Sequence, residues 1–471
     1  MTADTERQTG AIPQRGATAV AAPWFAALAG PFARMLAAVE RAWSQLWFTP
    51  TVTTPLELSR IGIGALLVLQ YGVVSPHLLE FFSDAGWMPR KVLSEFFDPS
   101  WIDVRFVNSI FFYFTAPWQF IAFHVFFLLC CIALMLGWRT SWVKWAVLVG
   151  KISYDYRNPA FMYGADIIIG CILFVMCFAP IGRALSLDRV RAVRAAKRRD
   201  LTAVLPPYSS AMAGACTRLI QLQMAILFFY SATSKLKYEE WWSGDALWLV
   251  FTMADYFHPL LTGFIAQHYW LSAVGTYATI LIEIAYPFLI WQQRTRPYML
   301  AAALFLHLMF ALLMSLIFFA AAMTMGHITF VRPEWLHRLG VWWKRRMGAM
   351  EMIYDGRCGF CVRSMAWLLG FDGLRQIGIR DFRTNPSPVV TDAQLEKALY
   401  LVLPDGRALP GFEAYRYVVA RVPGLWWLVP LFYLPVLSRA VGHPIYNWIA
   451  ANRSRLSASS LFLARRAPAE P

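Results

Sequence analysis

The sequence predicts a polytopic α-helical membrane protein of about eight spans, closed by a C-terminal α/β domain. Three observations carry this. Of the 471 residues, 58% are hydrophobic and 15% charged, against roughly 45–50% and about 25% in soluble domains. Uncharged apolar runs near the roughly 20 residues needed to cross a bilayer recur before position 335. From position 350 the texture changes to charged residues, Pro-Asp-Gly turns and short apolar runs.

The first segment, 1–49, reads as an N-terminal arm. Residues 1–22 are polar and Ala/Thr-rich, and no short apolar core ends in a small-residue cleavage site, so no cleavable signal peptide is evident. Residues 24–47 mix apolar and basic positions at helical spacing. This suits an interfacial helix lying on the membrane, with a loosely ordered arm as the alternative. Eight spans follow in the block 50–335: about 58–78, 117–137, 140–153, 161–182, 212–234, 269–292, and two tight crossings sharing 297–331. The third is short. The last run is long for one crossing and short for two.

The net charge is +15, but the Lys and Arg sit in short loops between apolar runs. That is the positive-inside pattern of a membrane protein. No basic stripe with interleaved stacking aromatics is evident, so nucleic acid is not an expected partner. Arg139, the cluster 183–199, and Arg294 with Arg296 alternate with the less basic loops 79–116 and 154–160. The basic loops and the N-terminus are therefore expected in the cytoplasm of a bacterial inner-membrane-type protein. Eight spans would place the C-terminal domain there too; seven would place it outside.

After the last span, 336–349 reads as a basic linker, and 350–458 as a small α/β domain with a tail, 459–471, expected to be disordered. The expected order is a strand (EMIYD), a helix, a strand (QIGIRDF), a helical run with Asp392 as cap, and a hairpin at Pro404-Asp405-Gly406. The run 425–437 is apolar and broken by prolines. It is too short for a span and is expected to pack on the domain or on lipid.

Seven cysteines occur. Five lie in or beside apolar spans, where a free thiol behaves as a small hydrophobe. Cys358 and Cys361 instead form a Cys-x-x-Cys pair between strand-like and helix-like runs. A structural zinc site needs four ligands. No second pair exists in 350–471 and His443 is its only histidine, so no metal is expected. A redox pair fits better. A helix N-terminus and nearby Arg357 would both lower the thiol pKa of Cys358. Gly356 and Gly359 would let a substrate disulfide approach. Cys358 would attack and Cys361 would resolve the mixed disulfide. The expected partner is a protein thiol or disulfide.

"YDGRCGFC" resembles the Asp-x-x-Cys-x-x-Cys signature of the DCC family of predicted thiol–disulfide oxidoreductases. The likeness continues through "PDGRALPGFEAYRYVV" and ends in "IYNWIAANRSRL". It implies a thioredoxin-like fold, a redox-active disulfide at Cys358 and Cys361, and a role for Asp355 near the thiols as proton acceptor. The plain alternative for Asp355 is a helix or turn cap.

Polar groups inside lipid are costly, so those in the spans are candidate sites. Arg157, Asn158 and Asp166 cluster around the outer end of spans three and four. Lys235 and Lys237 end span five on the same face, Glu283 lies within span six, and His124, His307 and His327 lie in apolar runs. A buried ion network fixing the helices is weighed evenly against catalysis for Arg157, Asp166 and Lys235. The isolated histidines read first as packing residues. "RNP" with "GAD", "YSATSKL" with "WWSGDAL", and the run 307–331 resemble the horizontally transferred transmembrane (HTTM) domain shared with vitamin K-dependent γ-glutamyl carboxylase. The likeness covers about 50–335. It implies quinone as a cofactor and a lysine base, best matched by Lys235. The large extra domain of the carboxylase is absent here, which puts carboxylation in doubt. The leading expectation is a membrane-anchored thiol–disulfide oxidoreductase coupled to quinone. A quinol-dependent modifying enzyme and a non-enzymatic redox sensor or scaffold are the alternatives.

Overall fold

The computed structural model describes residues 23–96 and 109–458. The expected disordered tail and the first 22 residues lie outside them. Residues 1–49 form a unit of their own, within which Pro23–Phe48 is one helix of 26 residues. It covers the stretch read as amphipathic.

Each of the eight expected spans falls on a helix, and length and composition alone support fewer than eight crossings. Among the described residues five helices are long and apolar enough to cross a membrane, or six if one bent pair counts as a span: Thr54–Phe82 (taken with its short continuation), Pro117–Leu136, Ala211–Lys235, Tyr269–Leu289 and Arg296–Leu313. The other three fall short for physical reasons. Helix Thr140–Arg157 carries Lys144, Lys151, Asp155 and Arg157. Helix Gly164–Met176 has 13 residues, about 20 Å at 1.5 Å per residue, where the hydrocarbon layer is roughly 30 Å. Helix Ile317–His327 has 11 residues. The run 297–331 is two helices, as expected, broken after Leu313 where Ser315 takes φ 55°.

The bundle has two distinguishable ends. At one, strand Thr51–Val52 pairs antiparallel with Ser209–Ser210, so helices Thr54–Val74 and Ala211–Lys235 start together. Two buried charges fasten this end. Glu57 accepts the amides of Arg183 and Ala184 at 2.8 and 2.7 Å. Arg60 donates to the carbonyls of Leu134, Met135 and Leu185, the orphan acceptors at a helix C-terminus and in the loop beyond. The tight turn between the second and third helices uses Gly137 at φ 69°, where a Cβ would lie 2.4 Å from that of Ser186. The basic cluster 183–199 sits at this end and contains helix Leu187–Lys197.

The basic linker is helical, Pro333–Met347. The domain after it has a four-stranded sheet in the spatial order Ile377–Asp381, Met350–Tyr354, Tyr400–Val402, Ala408–Pro410. The first two strands run parallel and the rest antiparallel. The parallel crossover is helix Gly359–Phe371, which follows Cys358. Helix Gly411–Arg421 follows the hairpin. This βαβ–ββα arrangement is the thioredoxin-like fold. Gly406 turns the hairpin at φ 82°. The short helix Asp392–Leu395 is capped by Thr391 with Gln394, not by Asp392. Met352, Met365, Leu401, Ala414 and Val418 form the centre of the core, each 0% exposed.

The redox-type domain packs on the basic end of the bundle. The guanidinium of Arg194 lies 3.8 Å over the ring of Trp367 on helix Gly359–Phe371. A Cβ at Gly370 would meet Val190 at 3.1 Å. Leu201 joins the domain's core, and Arg375 donates to the Leu205 carbonyl at 3.4 Å.

Candidate active site

Cys358 ends the loop after strand Met350–Tyr354 and is the N-cap of helix Gly359–Phe371. Its backbone is extended, φ −83° and ψ 103°, which turns Sγ back over the first turn. There Sγ accepts the Cys361 amide at 3.3 Å. The sulfur thus takes one of the amides that a helix start leaves unpaired. Neither cysteine is in a disulfide, and each is partly exposed. The Cys358 thiol is held down to about 6. The largest cause is the hydrogen bond from the Cys361 side chain; the amides of Cys361 and Phe360 add to it, while burial and Asp355 oppose it.

Three expectations about the loop change. Arg357 is exposed and is not among the groups that lower the Cys358 thiol. The helix start and the partner thiol do that work. Gly356 is needed for packing: a Cβ there would lie 2.0 Å from Oδ2 of Asp381, whose Oδ1 accepts the Gly356 amide at 2.9 Å. Asp355 accepts the Arg357 amide at 3.0 Å, a turn-capping bond, and pairs with Arg383 at 3.2 Å. Its charge raises the Cys358 thiol. Arg383 also binds Glu396 at 3.2 Å, so one guanidinium balances two carboxylates beside the pair.

Cys361 faces an apolar cleft of about 420 Å³. Phe360, Leu368, Phe412, Leu428 and Ile445 contribute to its walls. Tyr415, also in the wall, has its phenol pushed up by burial. The proline-broken run 425–437 therefore does pack on the domain, as the far wall of this cleft.

The candidate membrane site separates into four groups. Arg157 donates to the carbonyls of Met88 and Ser83 and pairs with Asp84 at 3.2 Å, while Asn158 donates to Phe81. These two residues hold the 81–88 loop in place. Asp166 accepts from Gln70 at 2.7 Å and lies 3.5 Å from Lys151, which also binds Asp155 at 2.7 Å. Lys235 binds both carboxylate oxygens of Glu283, at 2.9 and 2.8 Å, and contacts Ser231. Its ammonium lies 5.2 Å from the Trp241 ring centroid. His307 meets His327 at 3.1 Å between ring nitrogens, and His327 meets the Tyr286 hydroxyl at 2.8 Å. Among the described residues, no hydrogen bond or ion pair joins Lys235 to Arg157 or Asp166.

The sequence reading missed Lys151, Asp155, Glu57 and Arg60. Lys151 and Asp155 stand four apart on one helix, a spacing that signals a pair. Among the described residues Lys237 is not part of the Lys235–Glu283 pair. His124 is a structural bridge between Ser75 and Tyr154, at 2.8 and 2.7 Å. Among the described residues no group of three or more His, Cys, Asp or Glu is placed to hold a metal.

Two families match the chain. The HTTM domain matches residues 77–335, and the DCC1-like thiol-disulfide oxidoreductase family matches residues 352–459. No curated protein and no solved structure matches.

Proposed function

Because this chain belongs to the HTTM family and ends in a DCC1-like thiol-disulfide oxidoreductase domain, it is an integral membrane thiol–disulfide oxidoreductase in general class, and we propose that Cys358 and Cys361 are its redox pair. The observation that carries this is the Cys358 sulfur on the helix N-terminus, with its thiol near 6. At pH 7 such a thiol is mostly thiolate, the nucleophilic form. Cys358 attacks a substrate disulfide and expels one substrate thiolate. Cys361 then attacks Cys358 in the mixed disulfide and releases the second. The pair is oxidised by two electrons and the substrate is reduced by two. Asp355 lies close enough to act on proton transfer, though its present bonds serve the turn and Arg383.

The test uses the full chain in vesicles with a dye-labelled protein disulfide. Cys358→Ala is expected to abolish reduction, and Cys361→Ala to trap the mixed disulfide. Full activity in both variants would sink the assignment.

The same reading puts the pair in the cytoplasm. Its support is the packing of helix Gly359–Phe371 on the basic helix Leu187–Lys197, which shares its side whatever the span count. A membrane-impermeant maleimide should label Cys358 only after lysis.

Quinone exchange with the Cys pair belongs to the proposal as the class of bilayer-soluble partner. As arranged, the Lys235 amine donates to both carboxylate oxygens of Glu283 and to Ser231, which sets it as a hydrogen-bond donor and not as a quinol-activating base. A quinol-dependent modifying activity would show as a mass of added CO2 on co-expressed peptides, lost in Lys235→Ala.

A further inference from the structure

The redox domain carries its own apolar surface, and that surface is out of character for a domain standing in water. Helices Pro423–Tyr433 and Pro435–Asn452 pass the length and apolarity of a membrane span only when taken together, and they are bent by 79° at Leu434. Such a pair cannot cross as a straight rod. It can enter one leaflet and return. Its exposed residues are mostly apolar: Trp427 is 67% exposed, Val436 77% and Trp448 59%, with Leu434 and Ile445 also exposed, beside the exposed Arg439 and Asn447. Exposed apolar residues scattered singly are ordinary, but a contiguous set on one element marks an interaction surface.

A second observation says what covers it. The last helix of the bundle ends at Phe330, and helix Pro333–Met347 begins three residues later. Trp342 and Leu339 on that helix are exposed, and Arg338, Lys344, Arg345 and Arg346 supply its charge. This is the make-up of a helix lying at a membrane surface. Its Trp343 reaches the broken pair directly. Its ring meets Trp426 at 5.5 Å between centroids, and the indole donates to the carbonyl of Arg421, which ends the helix just before the pair, at 3.1 Å. The broken pair is therefore continuous with the last membrane helix through one interfacial helix. Aromatic rings at this junction are the residues that favour the headgroup level.

We infer that the pair Pro423–Asn452 is a re-entrant element of the redox domain, buried in the same leaflet that the basic end of the bundle faces. The occupant of its apolar face is the acyl-chain region of the bilayer. One consequence concerns Cys361. Leu428, Leu431 and Ile445 of this pair wall the cleft that Cys361 faces, so the cleft fills from lipid. This placement is independent of whether the Cys pair is active.

The test needs no substitution. The full chain is reconstituted in phosphatidylcholine–phosphatidylglycerol vesicles containing a phospholipid with a mid-chain diazirine, at about one chain per vesicle. After irradiation, adducts are mapped by mass spectrometry. Residues 427–448 are expected to label within about twofold of lipid-facing span residues such as Leu281 and Phe305. Labelled spans with residues 427–448 unlabelled would overturn the inference, including where a second copy covers the face in place of lipid. Val436→Glu gives a second readout: labelling of the 427–448 peptide should fall at least threefold while span labelling holds. Equal labelling in that variant would count against insertion.

Discussion

Removing the Cys361 sulfur should make Cys358 a weaker acid. Its side-chain hydrogen bond is the largest cause of the depressed Cys358 thiol, which stands near 6 against an ordinary 9. In Cys361→Ala the amides of Cys361 and Phe360 remain and keep part of the effect. The assay is the rate of iodoacetamide alkylation at Cys358, followed by mass from pH 4.5 to 9.5. The wild-type rate should rise through a midpoint near 6 and level off, because thiolate replaces thiol as pH increases. In the variant the midpoint moves up. If the shift is one unit, worth about 1.36 kcal/mol, the rate at pH 6.5 falls roughly threefold. Above both midpoints the order reverses, since a more basic thiolate is the better nucleophile. The stability sign follows. A thiol depressed in the folded state favours folding above its unfolded pKa, and that contribution is lost as pH falls toward 6. A wild-type midpoint near 9, or an unmoved midpoint in the variant, would refute the account.

Other outcomes follow from the same geometry. Asp355→Asn removes a charge that opposes the thiolate, so the Cys358 midpoint should drop; if Asp355 also accepts a proton, disulfide release slows despite the lower midpoint, which stopped-flow would separate. Gly356→Ala drives a methyl into Asp381, and overpacking of this kind costs about 1–3 kcal/mol. A lowered melting temperature of the vesicle-bound protein checks it; an unchanged one would contradict the packing reading. Lys235→Ala leaves Glu283 buried without its partner, at a cost of roughly 3–5 kcal/mol. Lys235→Met with Glu283→Leu should recover most of the loss in a denaturation series. Arg194→Ala removes the cation over Trp367, worth about 0.5–2 kcal/mol, and should speed protease cutting in residues 333–349.

The setting of the Cys pair was legible because it is local: two thiols three apart between a strand and a helix carry their own geometry. The strand order and hairpin were legible for the same reason, through Met350–Tyr354 and the turn at Gly406. The membrane groups were only half legible. Lys235 and Glu283 each stood out as polar residues in apolar runs, yet they are 48 positions apart, and nothing in either run marks the other as its partner. Arg157 was flagged as a candidate site residue, but its partners are backbone carbonyls of Ser83 and Met88, which no composition reveals. Apolarity is a weak guide to spans where helices are shielded by neighbours. Lys151 is 0% exposed inside the bundle, so helix Thr140–Arg157 need not be apolar throughout.

Helix Ala211–Lys235 starts at the basic end where the redox domain docks and finishes at the Lys235–Glu283 pair. Its 25 residues amount to about 37 Å at 1.5 Å per residue. That length acts as an electrical insulator. Neither Lys235 nor Glu283 carries electrons, so the ion pair is no terminus for an electron relay from the thiols. On the proposed reading, redox traffic between the two ends is shuttle traffic, whose speed tracks the amount and mobility of a carrier in the lipid. Lengthening the helix by a turn would then leave that speed almost unchanged.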